Sequence, residues 1–207
     1  LGQEINIWAY ARIDTVNPEL LKKVRSAGIR WLAYGIESGS EEVRKGVVKG
    51  KFDNNKIREV VRMTKDADIS IVGNYMFGFW DDTLSTMQET LDFAKELNCE
   101  YANFYCVSIY KGSKLYEEMK AKGVDLPETS EEYSQMSPFF KPVPTAHLSG
   151  QDVLRFRDRA FNDYFGDSRY LDMMRTRFGQ GAVDEIRDML KIDIRVGNFE
   201  AEVGEFC

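Results

Sequence analysis

Gly35-Ile36-Glu37-Ser38-Gly39-Ser40 is the stretch that decides the fold of this chain. The apolar run before it, residues 29–34, stops at small residues around one carboxylate, and a polar helical pattern follows at once. The strands of parallel β/α barrels deliver side chains to their C-terminal mouth in this way, and ligands bind there. An acid set among glycines and serines can accept two hydrogen bonds from a ribose diol. The stretch therefore predicts a ligand site at the end of a barrel strand.

Four apolar runs typical of strands alternate with helical patterns along the first 122 residues. The runs are Ile5–Ala11, Ile29–Ile36, Ile69–Met76 and Tyr101–Val107. Repeated β-then-α units at this spacing predict parallel strands with right-handed crossovers, in sequential order. Four units are too few to close an eight-stranded barrel. The expected fold class is α/β, a partial (β/α) barrel whose first strand is an exposed edge.

Helix boundaries and proline content divide the chain. Asn17-Pro18-Glu19 predicts a helix start, and Gly28 and Gly123 predict helix ends. From Ser149 onward the pattern is helical again, and a last helix is expected at 182–190, after a break at Gly179–Gly181. The predicted organisation is a partial barrel at 1–126, a proline-containing linker at 127–148 and a C-terminal helical extension at 149–207.

Composition excludes several classes of protein. The 207 residues are 43% hydrophobic and 30% charged, with a net charge of −6. No apolar run is long enough for a membrane helix, and an acidic chain makes nucleic acid an unlikely partner. Three cysteines without close spacing fit reduced thiols in the cytoplasm. Because the chain begins at Leu1 in the middle of a helix-to-strand pattern, we expect it to be a fragment.

The strand ends carry the residues that could act on a ligand, and each has a plainer interpretation. Arg12 could simply pair with nearby loops, Glu37 could cap the next helix, and Asn74 could satisfy backbone groups at a bulge. Position alone predicts a ligand at the mouth and no particular reaction. The candidates are Tyr10, Arg12 and Asp14; Glu37, Ser38 and Ser40; Asn74, Met76 and Gly78; and Ser108, Tyr110 and Lys111.

Taken together, these blocks resemble the radical S-adenosylmethionine (SAM) superfamily, in particular the group that often carries an N-terminal cobalamin-binding domain. Several motifs in the right order and spacing are a stronger signal than any one of them. The resemblance covers residues 3–122, and the tail resembles the group's C-terminal extensions less specifically. The matching text is Trp8-Ala9-Tyr10-Ala11-Arg12-Ile13-Asp14-Thr15-Val16, Tyr34-Gly35-Ile36-Glu37-Ser38-Gly39-Ser40, Val48-Lys49-Gly50, Met76-Phe77-Gly78-Phe79 and Tyr110-Lys111-Gly112-Ser113-Lys114-Leu115-Tyr116.

The resemblance implies a role for each matching position in a (β/α)6 barrel, of which these units would be strands three to six. It places the ribose hydroxyls of SAM at Glu37, with Ser38 beside it, and the methionine carboxylate at Lys49. Further cofactor positions implied in the same way are Asn74 and Met76 near the ribose and adenine, Val107 and Ser108 beside the adenine, and Arg12 facing cofactor and substrate.

The resemblance also implies an activity. An intact parent would use a 4Fe-4S cluster to cleave SAM to a 5′-deoxyadenosyl radical and act on a small molecule, with cobalamin-dependent methylation as the leading outcome. The cluster-binding loop of three close cysteines is missing, and Cys99, Cys106 and Cys207 cannot replace it. We therefore expect this chain alone to be inactive, without tightly bound cofactors, and to self-associate through its open sheet edge. The alternatives are a degenerate β/α module that binds a nucleotide or a partner, and a β/α enzyme without radical chemistry.

Overall fold

The computed structural model describes residues 5–47 and 52–192. In them, four parallel strands form one sheet in the order β1-β2-β3-β4. The prediction of sequential parallel strands is therefore confirmed, and each strand lies within two residues of its predicted bounds. The strands are β1 Ile7–Ala11, β2 Ile29–Glu37, β3 Ser70–Phe77 and β4 Tyr101–Cys106.

Helices follow each strand along the chain. After a short 3-10 turn at Ile13–Thr15 come α1 Pro18–Ser26, α2 Glu41–Val47, α3 Asn54–Asp66, α4 Leu84–Leu97, α5 Lys114–Ala121, α6 Ser130–Tyr133, α7 Gly150–Phe165, α8 Ser168–Phe178 and α9 Gln180–Met189. None of the helices in the described part of the chain is long and apolar enough to cross a membrane.

The predicted helix boundaries hold at both ends of the barrel pattern. The Asn17 side chain accepts the backbone N–H of Leu20 and caps α1, whose first residue is Pro18. Gly28 and Gly123 follow α1 and α5 with positive φ angles of 95° and 74°, which glycine adopts without steric cost. The last helix differs from prediction, because α9 begins at Gln180 and includes Gly181. Gly179, at φ 87°, provides the whole break.

Alternate residues of the strands face opposite sides of the sheet. On β2, Leu32, Tyr34 and Ile36 are buried in the core beneath the helices, and the Tyr34 hydroxyl bonds to Thr64 of α3 at 2.8 Å. Trp31 and Gly35 therefore lie on the opposite, concave face of the partial barrel. Residues of the other strands that share this concave face are Trp8 and Tyr10 on β1, Val72, Asn74 and Met76 on β3, and Tyr101, Asn103 and Tyr105 on β4.

The C-terminal extension packs against the sheet through α7 and α8. Val153, Phe156, Ala160 and Tyr164 form the buried face of α7, which lies where the sequence predicts a helical pattern from Ser149 onward. The Tyr164 and Tyr170 hydroxyls donate to the backbone carbonyls of Cys99 and Glu100, just before β4. The extension therefore packs as part of the barrel core.

Candidate functional site

The end of β2 contains a bulge that produces an unusual backbone conformation at Glu37. Gly35 pairs with Asn74 of β3, whereas Glu37 pairs with Tyr75, so Ile36 is the extra residue. Glu37 has a φ of 65°, in the left-handed region that side chains other than glycine rarely adopt. Such strain persists where the surroundings impose it, and it is concentrated at ligand-binding sites.

The Glu37 side chain folds back over Gly35 on the concave face. A Cβ atom built on Gly35 would clash with Glu37 Oε1. The carboxylate is half-buried and, among the described residues, accepts no hydrogen bond, so burial raises its pKa above the ordinary value. Glu37 is thus an acceptor that the described part of the protein leaves unsatisfied, which argues against a helix-capping role.

The loop after Glu37 is fixed by contacts with α4 and α2. The Thr90 hydroxyl accepts the Gly39 N–H at 3.0 Å and lies 3.1 Å from the Ser38 hydroxyl. The Arg44 guanidinium is almost fully buried and donates to the Ser38 carbonyl at 2.6 Å. Ser38 was a candidate cofactor contact, but its hydroxyl is buried and used within this loop. Ser38 instead belongs to the network that fixes the loop backbone directly after the strained residue Glu37.

A row of polar side chains crosses three strands at this level. Gly35, beneath the Glu37 carboxylate, pairs with Asn74, and Asn74 pairs with Asn103 of β4. Asn74 Nδ2 donates to the Tyr34 carbonyl at 3.2 Å, and Asn103 Nδ2 donates to Asn74 Oδ1 at 2.9 Å. Asn74 therefore satisfies a backbone group beside a bulge, as its plainer interpretation predicted, while lying next to Glu37. Asn103 was not among the sequence candidates.

The end of β4 is held by a side chain from the 127–148 segment. Val107 N–H donates to the Phe77 carbonyl of β3, so the backbone groups of Cys106 face the open side of this strand. Gln135 occupies that side: its Oε1 accepts Cys106 N–H at 2.9 Å, and its Nε2 donates to the Cys106 carbonyl at 2.6 Å. The same Nε2 lies 3.2 Å from the Ser108 hydroxyl. One amide thus completes the strand and orients the expected adenine-side residues.

The remaining candidates lie around this mouth. At the end of β1, Arg12 forms a two-bond ion pair with Asp14 at 2.9 and 2.7 Å, and that contact raises the Arg12 pKa. Met76 is half-buried on the concave face and pairs with Tyr105. Lys49 lies outside the described residues.

Asp82 organises the loop after β3 in a way that the sequence did not reveal. Its Oδ2 accepts the backbone N–H groups of Gly78 and Phe79, both at 3.0 Å, and its Oδ1 accepts the Thr86 hydroxyl at 2.6 Å. The Thr145 hydroxyl donates to the Asp82 carbonyl. Asp82 is fully buried, and burial raises its pKa despite these bonds.

The described residues fit the nucleoside of SAM and do not fit an iron–sulfur cluster. Glu37 is an open acceptor of the kind that a ribose diol needs. Cys99 and Cys106 are buried, and burial raises the pKa of each thiol to about 12, far from the thiolate that a cluster requires. Residues 5–47 and 52–192 contain no group of three metal-binding side chains. Cys207 lies outside them.

The sequence is similar to those of known methyltransferases. An uncharacterized methyltransferase from Pyrococcus horikoshii is 26% identical over 164 residues, 79% of this chain and 35% of the relative. A bacteriochlorophyllide d C-8(2)-methyltransferase from Chlorobaculum tepidum is 25% identical over 58% of this chain and 27% of its own length. The chain thus spans about a third or less of these curated relatives. No protein-family model matches it.

Part of the fold is similar to that of a solved radical SAM methyltransferase. TsrM from Kitasatospora setae, with cobalamin and a 4Fe-4S cluster bound, superimposes with a TM-score of 0.52 at 17% identity, over 56% of this chain and 22% of TsrM. The resemblance to radical SAM enzymes is confirmed at the level of the fold. Four parallel strands with C-terminal helices correspond to part of the radical SAM barrel, and the relatives include methyltransferases.

Proposed function

We propose that this chain forms the nucleoside-binding side of a radical SAM methyltransferase that acts on a small molecule. The observation that carries the proposal is the Glu37 carboxylate: strained, half-buried, without a hydrogen-bond donor among the described residues, and at the strand end where a ribose would lie. A ribose diol supplies the two missing donors. Each charge-assisted hydrogen bond contributes roughly 1.5–3 kcal/mol, which would offset the desolvation of the acid.

The neighbouring residues would complete the nucleoside site. Asn74 would border the ribose, and the strand end at Val107 and Ser108, braced by Gln135, would bound the adenine. Met76 offers an apolar contact between them, and Arg12 lies at the end of β1. Lys49 is proposed to bind the methionine carboxylate.

When bound, SAM supplies a methyl group and a reducible sulfonium. The described residues bind and orient it, and they do not hold the cluster themselves. We propose that the intact parent carries the 4Fe-4S cluster and cobalamin, and that this chain alone is inactive.

The experiment that tests the proposal measures SAM affinity of the parent enzyme by calorimetry after Glu37→Ala and Glu37→Gln. Both substitutions should weaken binding about tenfold or more, because two charge-assisted bonds are lost. Glu42→Gln, an exposed position on α2, is the matched control and should leave affinity unchanged. Unchanged affinity with lowered melting temperature would make Glu37 structural and refute the proposal.

A second test distinguishes the enzyme interpretation from that of a degenerate binding module. The coding sequence upstream of Leu1 should encode three closely spaced cysteines after a predicted strand. If the upstream reading frame lacks such a loop, the module is the better interpretation.

A further inference from the structure

The orientation of the Asn103 amide is fixed by a relay that starts at a backbone carbonyl. The Tyr34 carbonyl can only accept a hydrogen bond, so the Asn74 atom facing it is Nδ2 and the atom facing Asn103 is Oδ1. Asn103 must therefore present Nδ2 to Asn74, which turns Asn103 Oδ1 away from the relay. Among residues 5–47 and 52–192, that oxygen accepts no hydrogen bond. The fold thus presents an oriented acceptor on its concave face.

Aromatic rings surround this acceptor. Tyr101 and Tyr105 lie two residues before and after Asn103, so all three share the concave face of β4. Their side chains are 37% and 38% exposed, and Tyr10 of β1 is 89% exposed. Burial is the main cause that raises the Tyr105 pKa, and the proximity of Tyr10 and Tyr101 adds to it. The Tyr101 ring packs against Phe165 of α7, with ring centroids 5.5 Å apart, whereas Tyr105 makes no ring contact within the described residues.

We propose that Asn103 Oδ1, with the ring of Tyr105, binds a planar aromatic substrate through an N–H group of its ring. Aromatic rings stack on tyrosine in offset or edge-to-face geometry, and the amide oxygen selects molecules that carry a donor. The inference rests on the proposed function, since it identifies the second reactant beside the nucleoside at Glu37.

The adenine of SAM is not the molecule assigned to this position. Adenine is proposed to lie at Val107 and Ser108, which are four and five residues farther along the chain than Asn103. β4 ends at Cys106, three residues beyond Asn103, so at about 3.3 Å per residue Asn103 lies roughly 10 Å before the strand end. The two ring sites are therefore distinct along the strand direction.

The test uses indole and 1-methylindole as probes, because they share a ring system but only indole carries an N–H donor. Titrations of the 207-residue chain are followed by the side-chain amide NMR signals of Asn103 and Asn74. We expect indole to bind about fivefold more tightly than 1-methylindole, the effect of one neutral hydrogen bond. Equal affinity for the two probes, or no shift at Asn103, would overturn the proposal.

Two variants test which residues produce the preference for indole and which bind the ring. Asn103→Leu should reduce the preference for indole to within twofold, and Tyr105→Leu, which leaves the relay intact, should weaken both probes equally. Retention of the indole preference in folded Asn103→Leu protein would also overturn the proposal. If Asn103→Leu does not fold, Tyr105→Leu decides: unchanged affinity for both probes excludes a ring site on this face.

The same titrations distinguish this inference from the proposed function. Glu37→Ala should leave the indole preference of the chain unchanged, because Glu37 takes no part in the relay from Tyr34 through Asn74 to Asn103. Loss of the Glu37 effect with retention of the indole preference would remove the nucleoside site and keep the aromatic one.

Discussion

Glu37 Oε1 occupies the space that a side chain at Gly35 would need, so this position of the acid requires a glycine at residue 35. Gly35 leaves space on the concave face, and the bulge at Ile36 directs the Glu37 side chain into that space. The cost is a left-handed backbone at Glu37 and a carboxylate that burial makes harder to ionise. A substitution that removes the strained acid should therefore stabilise the fold and weaken ligand binding.

Glu37→Gly should stabilise the chain while abolishing its ligand site. Glycine adopts the φ of 65° freely, and the gain of about 1–2 kcal/mol outweighs the roughly 0.5–1 kcal/mol of added chain entropy. Urea denaturation should show a higher free energy of unfolding, and SAM affinity of the parent should fall at least tenfold. Asn98→Gly, at another left-handed position far from the mouth, is the control and should leave affinity unchanged. A destabilised Glu37→Gly variant would show that the acid supports the fold.

The ionisation of Glu37 should make stability depend on pH. Its pKa in the folded chain is raised above the ordinary value of 4.5, so the folded state binds this proton more tightly than the unfolded state. Relative to Glu37→Gln, the unaltered chain should be most stable below pH 4.5 and should lose that advantage as pH rises through the folded pKa. Denaturation curves of both proteins from pH 4 to pH 8 measure the difference. An advantage that grows with pH would indicate a cationic partner for Glu37.

Asp82→Ala should loosen the loop after β3. The substitution leaves the N–H groups of Gly78 and Phe79 without their acceptor in a buried site, which costs roughly 1–3 kcal/mol for each group. We expect a loss of about 2–5 kcal/mol in the free energy of unfolding. Asp81→Ala, at the exposed neighbouring position, should change it by less than about 0.5 kcal/mol. Equal effects of the two substitutions would exclude the proposed role of Asp82.

The sequence predicted the parts of this structure that depend on local pattern. The four strands, their order, the cap at Asn17 and the apolar face of α7 all follow from periodicity and capping chemistry, which act within a few residues. The strand ends could also be located, so Glu37 and Asn74 were found as candidates.

The contacts that the sequence did not predict join distant segments. Asn103 is oriented through the carbonyl of Tyr34, 69 positions earlier, and Gln135 completes β4 from the proline-containing segment. Neither belongs to a local motif, since each depends on register and on which strand is at the edge. The same limit applies to Ser38, because only the packing of α4 shows that its hydroxyl is hydrogen-bonded to Thr90.

Arg177 should be essential for the attachment of α8 beneath the sheet. Its guanidinium lies 3.4 Å from the buried carboxylate of Glu100 and 3.1 Å from the Ser70 hydroxyl. Arg177→Met leaves the Glu100 charge less compensated, and breaking a buried pair costs roughly 3–5 kcal/mol. Arg175→Met, on the exposed side of α8, is the control. Adding Glu100→Gln to Arg177→Met should recover part of the loss in a double-mutant cycle, whereas additive losses would rule out the pairing.

The open edge of β1 should make the chain self-associate. In the described residues β1 pairs only with β2, so its other edge presents unpaired backbone groups, and Ile7 and Trp8 are exposed beside them. Such an edge is a template for pairing with a second copy. Sedimentation velocity should therefore show a dimer at micromolar concentration. Ile7→Lys places a charge on the edge and should shift the chain to monomer, whereas Met136→Lys, at a more exposed apolar position away from β1, should not. A monomeric unaltered chain, or a dimer that persists in Ile7→Lys, would show that this edge does not pair.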